Sequence, residues 1–496
     1  MQLWYRHVIM RHTWTTTLAA PAITALALAS LAPAITGCRP SSEDRRERNA
    51  AGADRAANGA TGATAPATTP IDAGPPPEAG PRIDAGPLRG TFTCDRARLV
   101  GGDGKATRSD RAPPDQVRLP EHPQHPVFAW SGMASHGSAL YVASGDEVRR
   151  VVRQGGGHTL ERVAGRSQAA LDTSHFRAGV SCDQARFRSL GEIAPTADGS
   201  LVVVDHKSNA VLRIVHPDQP AQCFVHYVSG TSDQMSQRRG HGVGPKTVPA
   251  DGPLIGEGNP NPGNDDGDFR AARHYQPLIP AAIDNDVYVL ETAEQGPRTR
   301  LVRKIALDRA SSRARAVTTL ARFDQVYSAF GFTALNNKLY LLAVEGANGA
   351  EGVIYEIDPD TGSTREVTRA GKAAWKTPGN EALRLSGLTD CDGFLCTAAA
   401  YHLWRIHPRT GAGEVFAGAG NQDPRGMEFN ELSARHDHLA EYPAGEVALP
   451  MSTSRGASRG YLTALEYDRD QRALWVSAET RQSAYLLRLA GCATSR

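Results

Sequence analysis

The sequence predicts an all-β domain, a six-bladed β-propeller closed by an N-terminal strand, set behind a signal segment and a disordered tether. Three observations carry this. A pattern of short alternating apolar runs recurs six times from residue 91 onward. Turn-forming residues abound, with 49 Gly and 32 Pro in 496 residues. No sustained heptad or 3.6-residue apolar pattern appears, which argues against a helical bundle or coiled coil. With 40% hydrophobic and 22% charged residues, most of the chain can build a packed core. The net charge is +2, and no Lys/Arg cluster is interleaved with aromatics, so nucleic acid is not an expected partner.

Residues 1–37 read as a lipoprotein signal peptide. Arg6, Arg11 and His12 form a polar start, and Thr13 to Cys38 carries no charge. The stretch ends Ile35-Thr36-Gly37-Cys38, an aliphatic residue and two small ones before a cysteine, which resembles the lipobox of bacterial lipoproteins. That resemblance implies lipidation of Cys38, a mature chain starting there, and attachment to a membrane by the lipid. Residue 39 is Arg rather than Asp, which by the enterobacterial sorting rule points to the outer membrane of a Gram-negative cell. Residues 38–90 hold almost no large apolar side chain, and Ile71-Asp72-Ala73-Gly74-Pro75 recurs as Ile83-Asp84-Ala85-Gly86-Pro87. Such a chain buries too little surface to offset its ordering entropy, so a disordered tether is expected, with a reach of about 40 Å.

The third region, 91–496, is the propeller. Each repeat is a polar turn, an alternating apolar run, a break and a second run. Examples are Leu201–Val204 with Val211–Val215, and Leu339–Leu342 with Val353–Ile357. Asp198-Gly199 and Asp392-Gly393 are hairpin signals. The last repeat lacks its fourth strand. Thr91–Cys94 with Arg98–Gly102 supplies one from the start of the domain, which would close the ring and remove its open edges.

Between the repeats, Val163-Ala164-Gly165 leads to Ala185-Arg186-Phe187 and Leu190-Gly191-Glu192-Ile193-Ala194. A second copy runs Gly267-Asp268, Ala272-Arg273, Pro277, and Asp205, Asn209, Arg213 and Ile214 are spaced along the second repeat. These residues resemble the NHL-repeat propellers, most closely in the second blade, which has one extra residue between Asp205 and Asn209. The resemblance implies a ring that serves as a binding module. Related six-bladed rings include metal-dependent lactonases and lyases.

Apart from Cys38 there are six cysteines, an even number in an exported chain. The repeat map suggests Cys94 with Cys492 across the closing strand, Cys391 with Cys396 flanking one hairpin, and Cys182 with Cys223 in the second blade.

Candidate chemistry rests on acids that end the second strand of several blades: Asp205, Glu291, Glu345 and Glu479, with Glu192 on an inner strand and His206 nearby. Converging at a channel mouth, they would hold a divalent cation that polarises a carbonyl or activates water. Standing separately, they would satisfy backbone N–H groups in turns. Asn264-Asp265-Asp266-Gly267-Asp268 offers oxygens for calcium but places its Gly at the wrong offset for an EF-hand. No cofactor is required by any motif; Ca or another divalent cation is the only candidate. His436-Asp437-His438 and Arg238, Arg239 and His241 fall in long polar insertions, 421–460 and 231–268. Trp404 and Trp475 fall within strands and are expected in the core. The sequence thus favours a cell-envelope lipoprotein whose propeller binds a protein or glycan through those insertions. The alternative is a metal-dependent hydrolase or lyase. Binding is favoured because the acids do not alternate with a consistent His/Asn set across blades.

Overall fold

The computed structural model describes residues 92–101, 111–112, 132–154, 157–165, 178–206, 208–230, 263–269, 271–308, 311–345, 351–370, 385–399, 402–418, 442–444, 461–479 and 484–494. The signal segment with Cys38, the tether, most of both long insertions and His436–His438 lie outside these residues.

Six antiparallel sheets make six blades. Their inner strands are Gly132–His136, Leu190–Pro195, Pro277–Ile283, Val326–Leu335, Leu385–Cys391 and Tyr461–Asp468, numbered here as blades 1 to 6. Each inner strand packs on the next, and the sixth packs on the first, so the ring is closed. Six apolar clusters hold it together, one between each pair of neighbouring blades. A single blade has two apolar faces and cannot bury either alone, so the ring is the unit that folds. Trp475 is buried between blades 6 and 1, as its strand position suggested, while Trp404 packs half-buried against the cluster between blades 4 and 5.

Closure follows the expected route. Arg96–Gly101 pairs antiparallel with Ala484–Ala490 and becomes the fourth strand of blade 6. Phe92–Thr93 forms a separate two-residue pair with Ala493–Thr494, and Phe92 lies edge-on to Phe416 at 5.0 Å in the cluster between blades 5 and 6. Within the 421–460 insertion, one short stretch is a strand rather than loop. Tyr442–Pro443 pairs with Arg96 and Ala97 and covers the outer edge of the closing strand. Blades 1 and 2 carry similar short edge strands, Arg111–Ala112 and Val180–Ser181. Short covering strands leave less unpaired backbone for another chain to pair with.

All three cysteine pairs form as the repeat map suggested: Cys94–Cys492, Cys182–Cys223 and Cys391–Cys396. The first ties the closing segment to the far end of the ring, 398 residues away.

Two glycines set how closely the inner strands approach. A Cβ on Gly132 would stand 2.3 Å from Glu192 Cα, and one on Gly191 would stand 2.6 Å from Leu278 O. The backbones of blades 1, 2 and 3 therefore meet directly on either side of Glu192.

Candidate functional site

The acids that end second strands do not form a ring of ligands. Asp205 pairs with Leu190 and Glu291 with Pro277, each the first residue of its inner strand. This places them at the entrance end of the blades. Each is used locally. Asp205 is fully buried and accepts the N–H groups of Arg188 (2.7 Å), Ser189 (3.2 Å) and Ser208 (3.1 Å). It thus pins the linker into blade 2. The backbone N–H of neighbouring His206 donates to Ser189 O at 2.9 Å. Asn209 does the same for the linker into blade 3, accepting the Gln276 N–H at 2.8 Å.

Glu291 is fully buried between Arg303 Nη1 at 2.5 Å and His274 Nδ1 at 2.7 Å, and accepts Asn264 Nδ2 at 2.8 Å. His274 Nε2 lies 2.8 Å from Ser229 Oγ. The chain Ser229–His274–Glu291 has the order of a nucleophile, base and orienting acid. All three are shut off from solvent, so Ser229 presents no oxygen to a substrate. The cluster joins blades 2 and 3. Glu345 accepts Tyr355 Oη at 2.5 Å and pairs with Arg369 at 3.0 Å within its own blade. Glu479 ends its strand, paired with Tyr461 and Ala484.

The acidic loop is also consumed by the protein. Asp265 pairs with Arg273, and Asp266 accepts Arg303 and Thr319, both at 2.9 Å. Asp268 Oδ1 accepts the Ala271 N–H at 2.9 Å. Among the described residues no group of three or more His, Cys, Asp or Glu side chains is placed to hold a metal ion. The donor set suggested by the sequence therefore does not assemble around one cation among its described side chains, Glu192, Asp205, His206, Glu291 and Glu345; the side chain of Glu479 lies outside them. The members of the set are spread over the ring, and the oxygens of Asp205, Glu291 and Glu345 are taken by N–H groups, arginines and a tyrosine.

Among the described side chains of that set, only Glu192 lines the cavity in the central channel. The cavity measures about 390 Å³, and every blade contributes to it through the exit half of its inner strand. Its side chains include Ser135, Glu192, Ala194, Ala282, Thr333, Thr389 and Glu466. Glu466 on blade 6 is held from both sides. Ser135 of blade 1 donates its N–H (2.8 Å) and its hydroxyl (2.7 Å) to Oε1, and Thr389 of blade 5 donates to Oε2 at 3.3 Å. Glu192 has no such support, and its Oε1 is buried without a hydrogen-bond partner. Removal from water pushes the Glu192 carboxyl up to about 8, and the Glu466 charge pushes in the same direction. Removal from water also raises Glu466 to about 7, against the hydrogen bonds from Ser135 and Thr389. Two neighbouring carboxyls in a shielded channel resist ionising together, so at neutral pH the pair retains protons. Asp390 at the cavity wall is raised by burial as well, with Arg469 and the Gly393 N–H (3.0 Å) opposing.

A second hollow of about 790 Å³ adjoins the cavity between blades 1 and 2 and shares His136 and Gly137 with it. Its polar lining includes Arg150, Asp198, Arg213, His216, Asp218 and Gln219.

No protein-family profile and no curated protein sequence matches the chain. Solved structures do resemble it. A putative gluconolactonase is 11% identical with a TM-score of 0.39, covering 81% of this chain and 99% of that one. An auxiliary nutrient binding protein from Bacteroides thetaiotaomicron is 11% identical with a TM-score of 0.40, covering 81% and 77%. A streptogramin B lyase is 11% identical with a TM-score of 0.36, covering 72% and 93%. A binding protein, a lyase and a putative lactonase thus stand at the same distance, and at such scores none transfers an activity to this chain.

Glu466, Ser135 and Thr389 escaped the sequence reading. They lie inside inner strands whose channel-facing positions carry no common residue type. The one available signal was the alternation itself. Glu466 and Thr389 are polar residues at positions inside their strands, two places from the turns where polar residues are expected.

Proposed function

We propose that this chain is a binding module of the cell envelope that takes a small ligand, or the end of a protein or glycan, into its central cavity. The observation that carries this reading is the cavity itself: a hollow lined by all six blades, with a buried, unpartnered Glu192 oxygen at its wall. Buried polar atoms are almost always paired in folded proteins, so an occupant with hydrogen-bond donors belongs there. The cavity is of the size that small-molecule sites commonly have. The adjoining polar hollow would let a longer ligand continue outward beside His136. A lipid on Cys38 and the 38–90 tether would hold the module near a membrane while leaving it free to reach; the support for this is the lipobox-like sequence. The metal-dependent alternative loses its support with its proposed ligands dispersed.

The test is a glycan and peptide array probed with the purified chain. Alongside it run the Glu192→Gln/Glu466→Gln double variant and Glu345→Gln, which lies outside the cavity. Ligands captured by the wild type and by Glu345→Gln, but lost in the double variant, support the reading. Capture that survives the double variant moves the site elsewhere.

A further inference from the structure

The chemistry of the cavity narrows its ligand, on the reading just proposed. We propose that the cavity is selective for an organic cation, a compact body bearing a primary ammonium, which docks between Glu192 and Glu466.

Three observations support this. The first is charge. The cavity is lined by His136 from blade 1, Glu192 from blade 2, Asp390 from blade 5, and Glu466, Asp468, Arg469 and Asp470 from blade 6; blades 3 and 4 contribute no charged lining residue. Arg469 is committed to Asp390, Asp470 is exposed, and Asp468 sits in the turn after the strand, where Oδ1 accepts the Gln471 N–H at 2.9 Å and only Oδ2 is unpartnered. That leaves the two glutamates as the charges deep in the channel. The second is the difference between them. Glu466 is fixed by three donors from two blades, whereas Glu192 Oε1 has none. A ligand that donates hydrogen bonds and carries positive charge completes Glu192, whereas an anion would meet two carboxyls. The third is size and wall. An inorganic ion asks for several converging ligands, and among the described residues no three His, Cys, Asp or Glu side chains meet to hold one. The rest of the lining includes Ala194, Pro280, Ala282 and Thr333, suited to an apolar or hydroxylated body behind the charge.

A consequence follows for protons. In the empty cavity the pair retains protons at neutral pH. An ammonium takes over their role, and its docking releases a proton to solvent. Binding should therefore strengthen as pH rises through the range where the pair ionises, as long as the ligand stays charged.

The experiment is calorimetric titration of the purified chain with cyclohexylammonium, with cyclohexanol as its neutral counterpart. It is run at pH 6, 7.5 and 9, each in two buffers of different ionisation enthalpy. The expected result is binding of the ammonium alone. Its apparent Kd should fall by at least about tenfold from pH 6 to 9 as the competent, ionised fraction rises, with proton release at pH 7.5. Glu192→Gln should weaken binding and flatten the pH profile. His136→Asn should keep the profile, which separates rim from channel. Cyclohexanol bound as well as the ammonium, at all three pH values, would overturn the cation proposal and leave the cavity reading standing. No binding of either probe would overturn the cation proposal, and the array above would then decide the cavity reading alone. Ammonium binding unchanged in Glu192→Gln would refute the assignment to this pair.

Discussion

Glu291 and Glu345 occupy the same position near the end of the second strand in adjacent blades. If these acids were a catalytic ring, their loss would cost activity and little stability. The structure predicts the opposite for one and almost nothing for the other. Glu291 and Arg303 have fully buried side chains, whereas the Glu345 side chain is 19% exposed and the Arg369 side chain 34%. Breaking a buried pair by removing one partner costs about 3–5 kcal/mol, because the other charge stays buried and uncompensated. In Glu291→Gln, Arg303 keeps Asp266 and the carbonyls of Arg273 and Asp265, so we expect the lower end, about 3 kcal/mol. Exposed pairs are worth about 0–1 kcal/mol, so Glu345→Gln should stay within that range. Urea unfolding of the oxidised chain reads both from the midpoint, provided the slope is unchanged. Equal destabilisation by the two variants, or a Glu291→Gln protein as stable as the wild type, would refute the view that these acids are staples graded by burial.

Other expectations concern the channel and the closure. Glu192 titrates near 4.5 when unfolded and near 8 in the fold, so the folded state binds more protons between those values. The stability this carboxyl contributes is full below about pH 4.5 and lost as pH rises through 8. Glu192→Gln should remove that slope and be more stable than the wild type at pH 9, by about 2–4 kcal/mol after screening by channel water, with no gain at pH 4; parallel stability profiles would sink this. Converting Cys94 and Cys492 to Ser opens a loop of 398 residues, and converting Cys391 and Cys396 opens one of only 5. Chain entropy then makes the first loss about 4–6 kcal/mol and the second about 2, a ranking that thermal unfolding of the two double variants checks. Gly132→Ala drives a methyl into the Glu192 backbone and should lower the unfolding midpoint, whereas Gly137→Ala, with no heavy atom within 4 Å of the new Cβ, carries only the strain of its positive φ.

The repeat was readable in the chain because it is a local pattern that recurs, and the closing strand and the cysteine partners followed from laying the ends of the domain and the six cysteines on that repeat. Leu201–Val204 and Leu339–Leu342 are short apolar runs that follow polar turns, whichever blade they belong to. The edge strand Tyr442–Pro443 was not readable, since two residues carry no period and their pairing is decided by where the closing strand lies. The site was legible in one residue. Glu192 stood out as an acid inside an apolar inner strand. Glu466 is its counterpart, yet nothing in sequence links positions that meet only when blade 6 closes on blade 1. Acids at strand ends, by contrast, were conspicuous and misleading. Asp205 and Glu291 are there because the linkers between blades expose N–H groups and cations that need an acceptor.

The channel holds two shielded carboxyls that influence one another. The direct measurement is a carboxyl carbon NMR titration of the folded chain, with Glu192 and Glu466 assigned by their Gln variants. Midpoints near 8 and 7 are expected, with the Glu192 midpoint falling when Glu466 is neutralised. Both residues titrating near 4.5, each indifferent to the other, would mean an open, watery channel with no shielded pair.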